Sequence, residues 1–373
     1  MRARREGAGR RTARAPHLDR GQPGPGAARR RTARPARAGL GAAPQRHDRG
    51  RGAAARAGVP VKSLAAPPVP VPAQRDTLAA EAAHVLRGVC ASLGIDARGA
   101  TLLRVRSNAV FKLRDQIIVR IATAPDAGTR LPVVLAVARW LADRGFPTVR
   151  PADEVGEQPV VHAGRVVTFW RYVPASGTPT TGQLGAVLRD LHRLPAPPFA
   201  LKRLADPLAE VRRNVDCTAA GAVLTPRQRA WLRDRVAELT ARWADLDDVG
   251  PPVLLHGDAW IGNLLRRTDG DAVLCDWDGV ALGPRQWDLV HTYHGQRRFG
   301  LTAGEVDAFA AAYGRDLRAW PGYSTLMEIR DMYAVGVHIR NAPGDPFSRR
   351  ELPRRLDSLT KGDGHARWYM SPA

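Results

Sequence analysis

From Leu78 onward an apolar residue recurs every third or fourth position, at Leu78, Ala82, Val85, Leu86, Val89 and Leu93, and the pattern stops at Gly94. That period predicts an amphipathic helix closed by a glycine. Three β-like runs follow at 101–105, 109–113 and 116–121, the last rich in β-branched residues (Ile117, Ile118, Val119, Ile121). Helical spacing returns over 131–142, with Gly145 just beyond it. The runs 159–162 and 165–172 then predict a hairpin across Ala163-Gly164.

After Pro174 the pattern becomes mainly helical. Predicted helices cover 184–194, 204–215 and 227–246, the third with Thr225 as N-cap and Pro226 at its first position. A strand–loop–strand–turn–strand block occupies 253–276, and four more helices are expected over 286–297, 304–313, 324–340 and 348–359. The chain thus divides into a sheet-rich part, 76–173, and a helix-rich part, 174–373, with no internal repeat.

The formal net charge of +21 on 373 residues suggests a nucleic-acid partner until its distribution is considered. Residues 1–75 hold 18 Arg or Lys against only Glu6, Asp19 and Asp48; the remaining residues carry 39 basic and 33 acidic groups. Segment 1–75 is largely Arg, Ala, Gly and Pro, contains no Phe, Trp or Tyr, and ends in the proline-rich run 66–72. Lacking bulky apolar residues, it is expected to be a disordered tail and linker. A basic arm could touch phosphates, but this one offers no aromatic platform for bases. A targeting peptide is a second reading, although no apolar stretch accompanies the arginines. The expectation is a tail without function, translated upstream of the true start.

No run approaches the roughly 18 apolar residues of a membrane span. Cys90, Cys217 and Cys275 are odd in number and form no CxxC pair, which predicts a reducing, cytoplasmic setting without disulfides or a zinc site.

The chemistry concentrates in 254–278. His256-Gly257-Asp258 and Asn263 lie on one side of Asp269-Gly270, and Asp276 and Asp278 on the other. An Asp-Gly step between apolar runs is a strong signal for a two-residue hairpin turn. With that turn Asn263 would face Asp276, so that an amide oxygen and a carboxylate share one side of the hairpin. Magnesium takes few protein oxygens and completes its shell with water and phosphates, so this set suits a Mg2+–nucleotide better than a caged metal.

These residues resemble the aminoglycoside phosphotransferase family, related to choline kinases and more distantly to protein kinases. The similarity rests on HGD-x4-N (His256 to Asn263), on CDWD (Cys275 to Asp278) and on Gly283-Pro284-Arg285-Gln286-Trp287-Asp288-Leu289. It implies an α+β, bilobal, protein-kinase-like fold, with a small antiparallel N-lobe sheet and a larger, mainly helical C-lobe. It also implies an ATP- and Mg2+-dependent transfer of phosphate to a hydroxyl of a small molecule, such as an antibiotic or related metabolite, by a monomer or weak dimer.

Residue by residue, the resemblance makes Asp258 the base that orients the acceptor hydroxyl and His256 the structural histidine of the catalytic loop. Asn263 and Asp276 become the Mg2+ ligands, and Asp278 either assists a second metal or is simply solvated. Asp288 would brace the loop. Ser107 and Asn108 would lie in the phosphate-covering turn, Arg120 would contact phosphates, and Trp170 and Tyr172 would belong to the hinge that meets adenine.

One departure stands out: the glutamate that orients the phosphate-binding cation in this family falls on Val134, and 131–142 contains no acid. A non-catalytic nucleotide-binding protein is therefore one alternative, and a metal-dependent hydrolase another. Nothing selects the acceptor: 301–373 holds nine acids and ten basic groups, which leaves an aminoglycoside as one candidate among several. His291 and His294 share a helix face and are expected to pack or face solvent.

Overall fold

Alternation along the third strand sets the centre of the sheet. Ile117, Val119 and Ile121 are buried on one face, while Ile118 and Arg120 point to the other. The structure, a computed structural model, describes residues 72–105, 108–123, 130–246 and 249–370. Expectations for 1–71, Arg106 and Ser107 lie outside the described residues.

The sheet runs β1 (Thr101–Val105), β2 (Asn108–Lys112), β3 (Ile117–Ala122), β5 (Arg165–Arg171), β4 (Val160–His162), each neighbour antiparallel. Helix α1 (Pro72–Ser92) covers one face, where Val85, Leu86 and Val89 share a core with Phe111, Val119, Ile121 and Phe169.

Helix α2 (Leu131–Asp143) buries Val134, Leu135, Trp140 and Leu141 in a second core, together with Trp277 and Leu188 of the helical part. Each such side chain contributes roughly 1.5–3 kcal/mol relative to exposure, so α2 is anchored to the larger core. That core also joins α3 (Thr181–Leu191), α4 (Ala209–Asp216), α5 (Pro226–Ala244), α6 (Gln286–Phe299), α7 (Ala303–Tyr313), α8 (Tyr323–Asn341) and α9 (Pro346–Thr360). The expected cap of α5 is present: Thr225 accepts from Gln228 N–H, and the Gln228 side chain answers on Thr225 N–H.

Two elements depart from expectation. Helix α4 begins at Ala209, not near 204, because the preceding backbone pairs as an extended segment. Leu204 N–H donates to Leu282 O, and Leu282 N–H to Lys202 O, both at 2.8 Å. Leu282 lies in β9 (Ala281–Gly283), a three-residue strand beside β6 (Val253–Leu255) that carries too little periodicity to be read from the chain. Among the described residues no helix is long and apolar enough to cross a membrane.

Candidate active site

The expected hairpin forms between β7 (Leu264–Arg266) and β8 (Ala272–Leu274), but its register differs by one. Leu264 pairs with Leu274 and Arg266 with Ala272, and Cys275 N–H donates to Asn263 O at 2.9 Å. Asn263 thus stands opposite Cys275, not Asp276. The cause is the turn. Arg267 N–H reaches Asp271 O, Gly270 N–H returns to Arg267 O, and Gly270 is left-handed at φ 93°, giving a three-residue loop.

A slip of one residue sends side chains to the opposite face. Asp276 nevertheless lines the same cavity as Asn263, because its own backbone is left-handed (φ 71°, ψ 63°) just beyond the strand. Such a conformation at a non-glycine residue costs roughly 1–3 kcal/mol and occurs most often at functional sites.

Beyond β6 the chain turns sharply through His256-Gly257-Asp258. Gly257 sits at φ +83°, and a Cβ there would lie 2.1 Å from Gly279 O, so only glycine fits. Asp288, at the start of α6 and fully buried, accepts from His256 N–H at 2.7 Å and Gly257 N–H at 2.8 Å. His192 Nε2–H also donates to Asp288, and Tyr313 Oη–H donates to His192 Nδ1. Burial would raise the Asp288 pKa, but the His192 contact, the nearby His256 and the Gly257 N–H hold it below the ordinary range. His256 accepts from Asp258 N–H on Nδ1 and donates from Nε2 to Cys275 O at 3.0 Å, which links the loop to the end of β8.

Asn263 Nδ2 donates to Asp258 O at 2.9 Å and to Oδ2 at 3.2 Å. The other carboxylate oxygen, Oδ1, is buried without a hydrogen bond among the described residues; His291 Nε2 lies 3.5 Å away. Burial pushes the Asp258 pKa up, yet His291, His256 and Arg330 outweigh it and keep the carboxyl below its usual value. Asp258 is therefore ionised at neutral pH. Burial and the neighbouring Asp278 raise Asp276, against the pull of Arg120 and Arg104.

Asp258, Asn263, Asp276, Asp278 and Asn108 line one cavity of about 950 Å³. Arg120, which faces away from the α1 core, does not line it but pairs with two residues that do: its Nη2 lies 2.8 Å from Asp278 Oδ2 and 3.4 Å from Asp276 Oδ1. His256 is buried behind the loop. Trp170 is buried with its Nε1 on Thr168 Oγ1, while the Tyr172 ring carries the Lys112 ammonium at 3.7 Å; neither lines this cavity.

Three contributors were not legible beforehand. Arg104 Nη2 stands 3.7 Å from Asp276, Arg130 donates to Val280 O, and His291, expected to pack or face solvent, is buried with its Nε2 3.5 Å from Asp258 Oδ1. His291 lies three residues after Asp288 on α6, so the two share a helix face; that spacing was the available signal.

The donor set suits a hard cation. The Asn263 amide nitrogen is occupied by Asp258, which leaves Oδ1 as its available atom, and the nearby donors are carboxylate oxygens. Among the described residues no group of three or more His, Cys, Asp or Glu could hold a metal by itself. An ion that brings its own phosphate and water ligands meets that description.

Residues 99–327 match the model of the phosphotransferase enzyme family. Among solved structures, the chain is similar to the amicoumacin kinase hAmiN in complex with AMP-PNP, Ca2+ and Ami (14% identity, 76% of this chain and 96% of that one, TM-score 0.57). It is similar to the spectinomycin phosphotransferase in complex with ADP and spectinomycin (17%, 75% and 98%, 0.52). It is also similar to a choline/ethanolamine kinase family protein from Mesorhizobium loti (19%, 76% and 94%, 0.54). At these identities the likeness establishes the fold: a kinase-like pairing of a small antiparallel sheet with a larger helical part.

Proposed function

The chain belongs to the phosphotransferase enzyme family, and from that premise we propose that it is a kinase moving the γ-phosphoryl group of ATP to a hydroxyl of a small molecule. One observation carries this reading: Asp258, Asn263, Asp276 and Asp278 converge on a single cavity, and Arg120 of the sheet pairs with two of its carboxylates, Asp276 and Asp278.

Residues 76–173 would bind nucleotide and 174–373 would supply catalysis and the acceptor site. Asn108 would cover the phosphates, Arg120 would pair with them, and the Trp170–Tyr172 hinge would meet the adenine. Asn263 and Asp276 would hold Mg2+, with Asp278 either assisting a second ion or holding Arg120. Held there, the ion would supply positive charge against the phosphates of the nucleotide.

Asp258 accepts a hydrogen bond from the acceptor hydroxyl and orients its oxygen toward the γ-phosphorus. The new P–O bond forms as the bond to the β,γ-bridging oxygen breaks; ADP leaves, and the hydroxyl proton passes to Asp258 and then to solvent. Asn263 and His291, on either side of the carboxylate, fix its orientation, so most of the acceleration comes from positioning and charge.

The free cysteines Cys90, Cys217 and Cys275 suit a cytoplasmic setting. The acceptor would be an antibiotic or related metabolite. Thermal shift with Mg-ATP followed by ADP release tests the reading. Stabilisation with turnover supports it, binding without turnover favours a non-catalytic nucleotide binder, and no response to ATP sinks it.

A further inference from the structure

The acceptor side of the cavity has an unbalanced charge. Its wall comes from the extended segment before α4, from α4 and from α8, all on the helical part and opposite the sheet that presents Asn108. Two acids line it, and each is already matched. Asp206 is bound by Arg212 at 2.8 Å and by Leu208 N–H at 2.9 Å, and Glu210 is bound by Arg340. The cations Lys202, Arg203 and Arg213 line the same wall, and among the described residues their side chains form no hydrogen bond or ion pair.

Partial burial and the nearby Arg130 push Lys202 below the ordinary lysine value, while Glu210 pulls the other way. A cation depressed by burial and a like charge regains favourable electrostatics when an anion arrives. The remaining acids of the cavity, Asp258, Asp276 and Asp278, lie at the reacting end. Of these, Asp276 and Asp278 already face Arg120, and Asp276 also faces Arg104.

We infer that the acceptor is an alcohol bearing an anionic group, a carboxylate or a phosphate ester, held by Lys202, Arg203 and Arg213 while its hydroxyl meets Asp258. This rests on the kinase reading and narrows its substrate: a polycation would meet three uncompensated positive charges and no free acid on this wall. Phosphoryl transfer is unchanged, since the anion binds and does not react.

The test uses one carbon skeleton with four head groups: gluconate, sorbitol 6-phosphate, sorbitol and N-methylglucamine. Each is titrated calorimetrically into full-length protein saturated with Mg2+ and a non-hydrolysable ATP analogue, and ADP release is measured with ATP. We expect one or both anionic polyols to bind at least tenfold more tightly than sorbitol, with N-methylglucamine weakest; which anion leads separates carboxylate from phosphate. Lys202→Ala and Arg213→Ala should each weaken the anionic polyol at least fivefold and leave sorbitol and the ATP analogue within twofold. The inference is overturned if N-methylglucamine binds as tightly as the anions, if all four behave alike or fail to bind, or if the substitutions weaken the nucleotide instead. Failure of the ATP analogue itself to bind is a different result and removes the kinase reading beneath.

Discussion

Arg120 on the sheet and Asp278 beyond β8 form a 2.8 Å ion pair in which the guanidinium is largely buried and the carboxylate about half exposed. Burial works against the charge on Arg120, but Asp278 and then Asp276 outweigh it and raise its pKa. The helix that could have offered a glutamate instead presents Val134, buried in the larger core. Carboxylates past the end of β8 therefore orient this cation in place of a helix acid.

Asp278→Asn should raise the KM for ATP about fivefold to tenfold, or on the order of 1 kcal/mol, as expected for a partly exposed pair. In an Arg120→Met background the same change should add little, because the two residues act as a unit. A shifted Mg2+ requirement with additive effects would assign Asp278 to a metal instead. Steady-state kinetics over an Mg2+ series decide the point.

Asp258→Ala should lower kcat by about 10²–10⁴ while Mg-ATP binding, read by thermal shift, persists. Asn263→Ala and Asp276→Ala should instead raise the Mg2+ concentration needed for half-maximal rate, or abolish transfer. Nearly intact turnover in Asp258→Ala would end the base assignment.

Gly257→Ala places a methyl group against Gly279 O and forces a left-handed alanine. Loss of roughly 1–3 kcal/mol of stability is expected, together with loss of activity. Chemical denaturation and turnover of the purified variant provide the measurement; unchanged values would mean that the loop relaxes freely.

His294 is buried beside Asp331, and burial holds its pKa down at about 4 despite that carboxylate. Its folded value lies below the unfolded value near 6.5, so the unfolded chain binds the extra proton first. Stability should therefore fall as pH drops from about 6.5 toward 4, by up to roughly 3 kcal/mol from this group. Asp331 is likewise shifted down, held below ordinary aspartate against burial by Arg298 and His294, and its contribution is lost at still lower pH. Thermal unfolding across pH 7.5 to 4 should show the decline in wild type and a shallower one in His294→Gln.

Much of the architecture is legible because its signals are local. Repeats at 3.6 and 2.0 residues locate α1, α2 and the strands around Arg120, and the cap at Thr225 is written in Thr-Pro-Arg-Gln. The shared cavity of Asp258, Asn263 and Asp276 follows the motif spacing. The hairpin register does not, because an Asp-Gly step serves either a two- or a three-residue turn and only the assembled ladder selects between them. Strand β9 is too short for a period to show. Arg104 and Lys202 reach the cavity by tertiary placement, which no window of sequence records.

Helix α2 has one further consequence. Its apolar face is moored in the larger core, and its one acid, Asp143, is exposed at the last turn and makes no ion pair with Arg120. A protein kinase that switches by swinging the corresponding helix needs a second resting place for it; here that would mean exposing Leu135, Trp140 and Leu141 to water. An enzyme built this way has no off position at that joint, and its output would follow the supply of its two substrates.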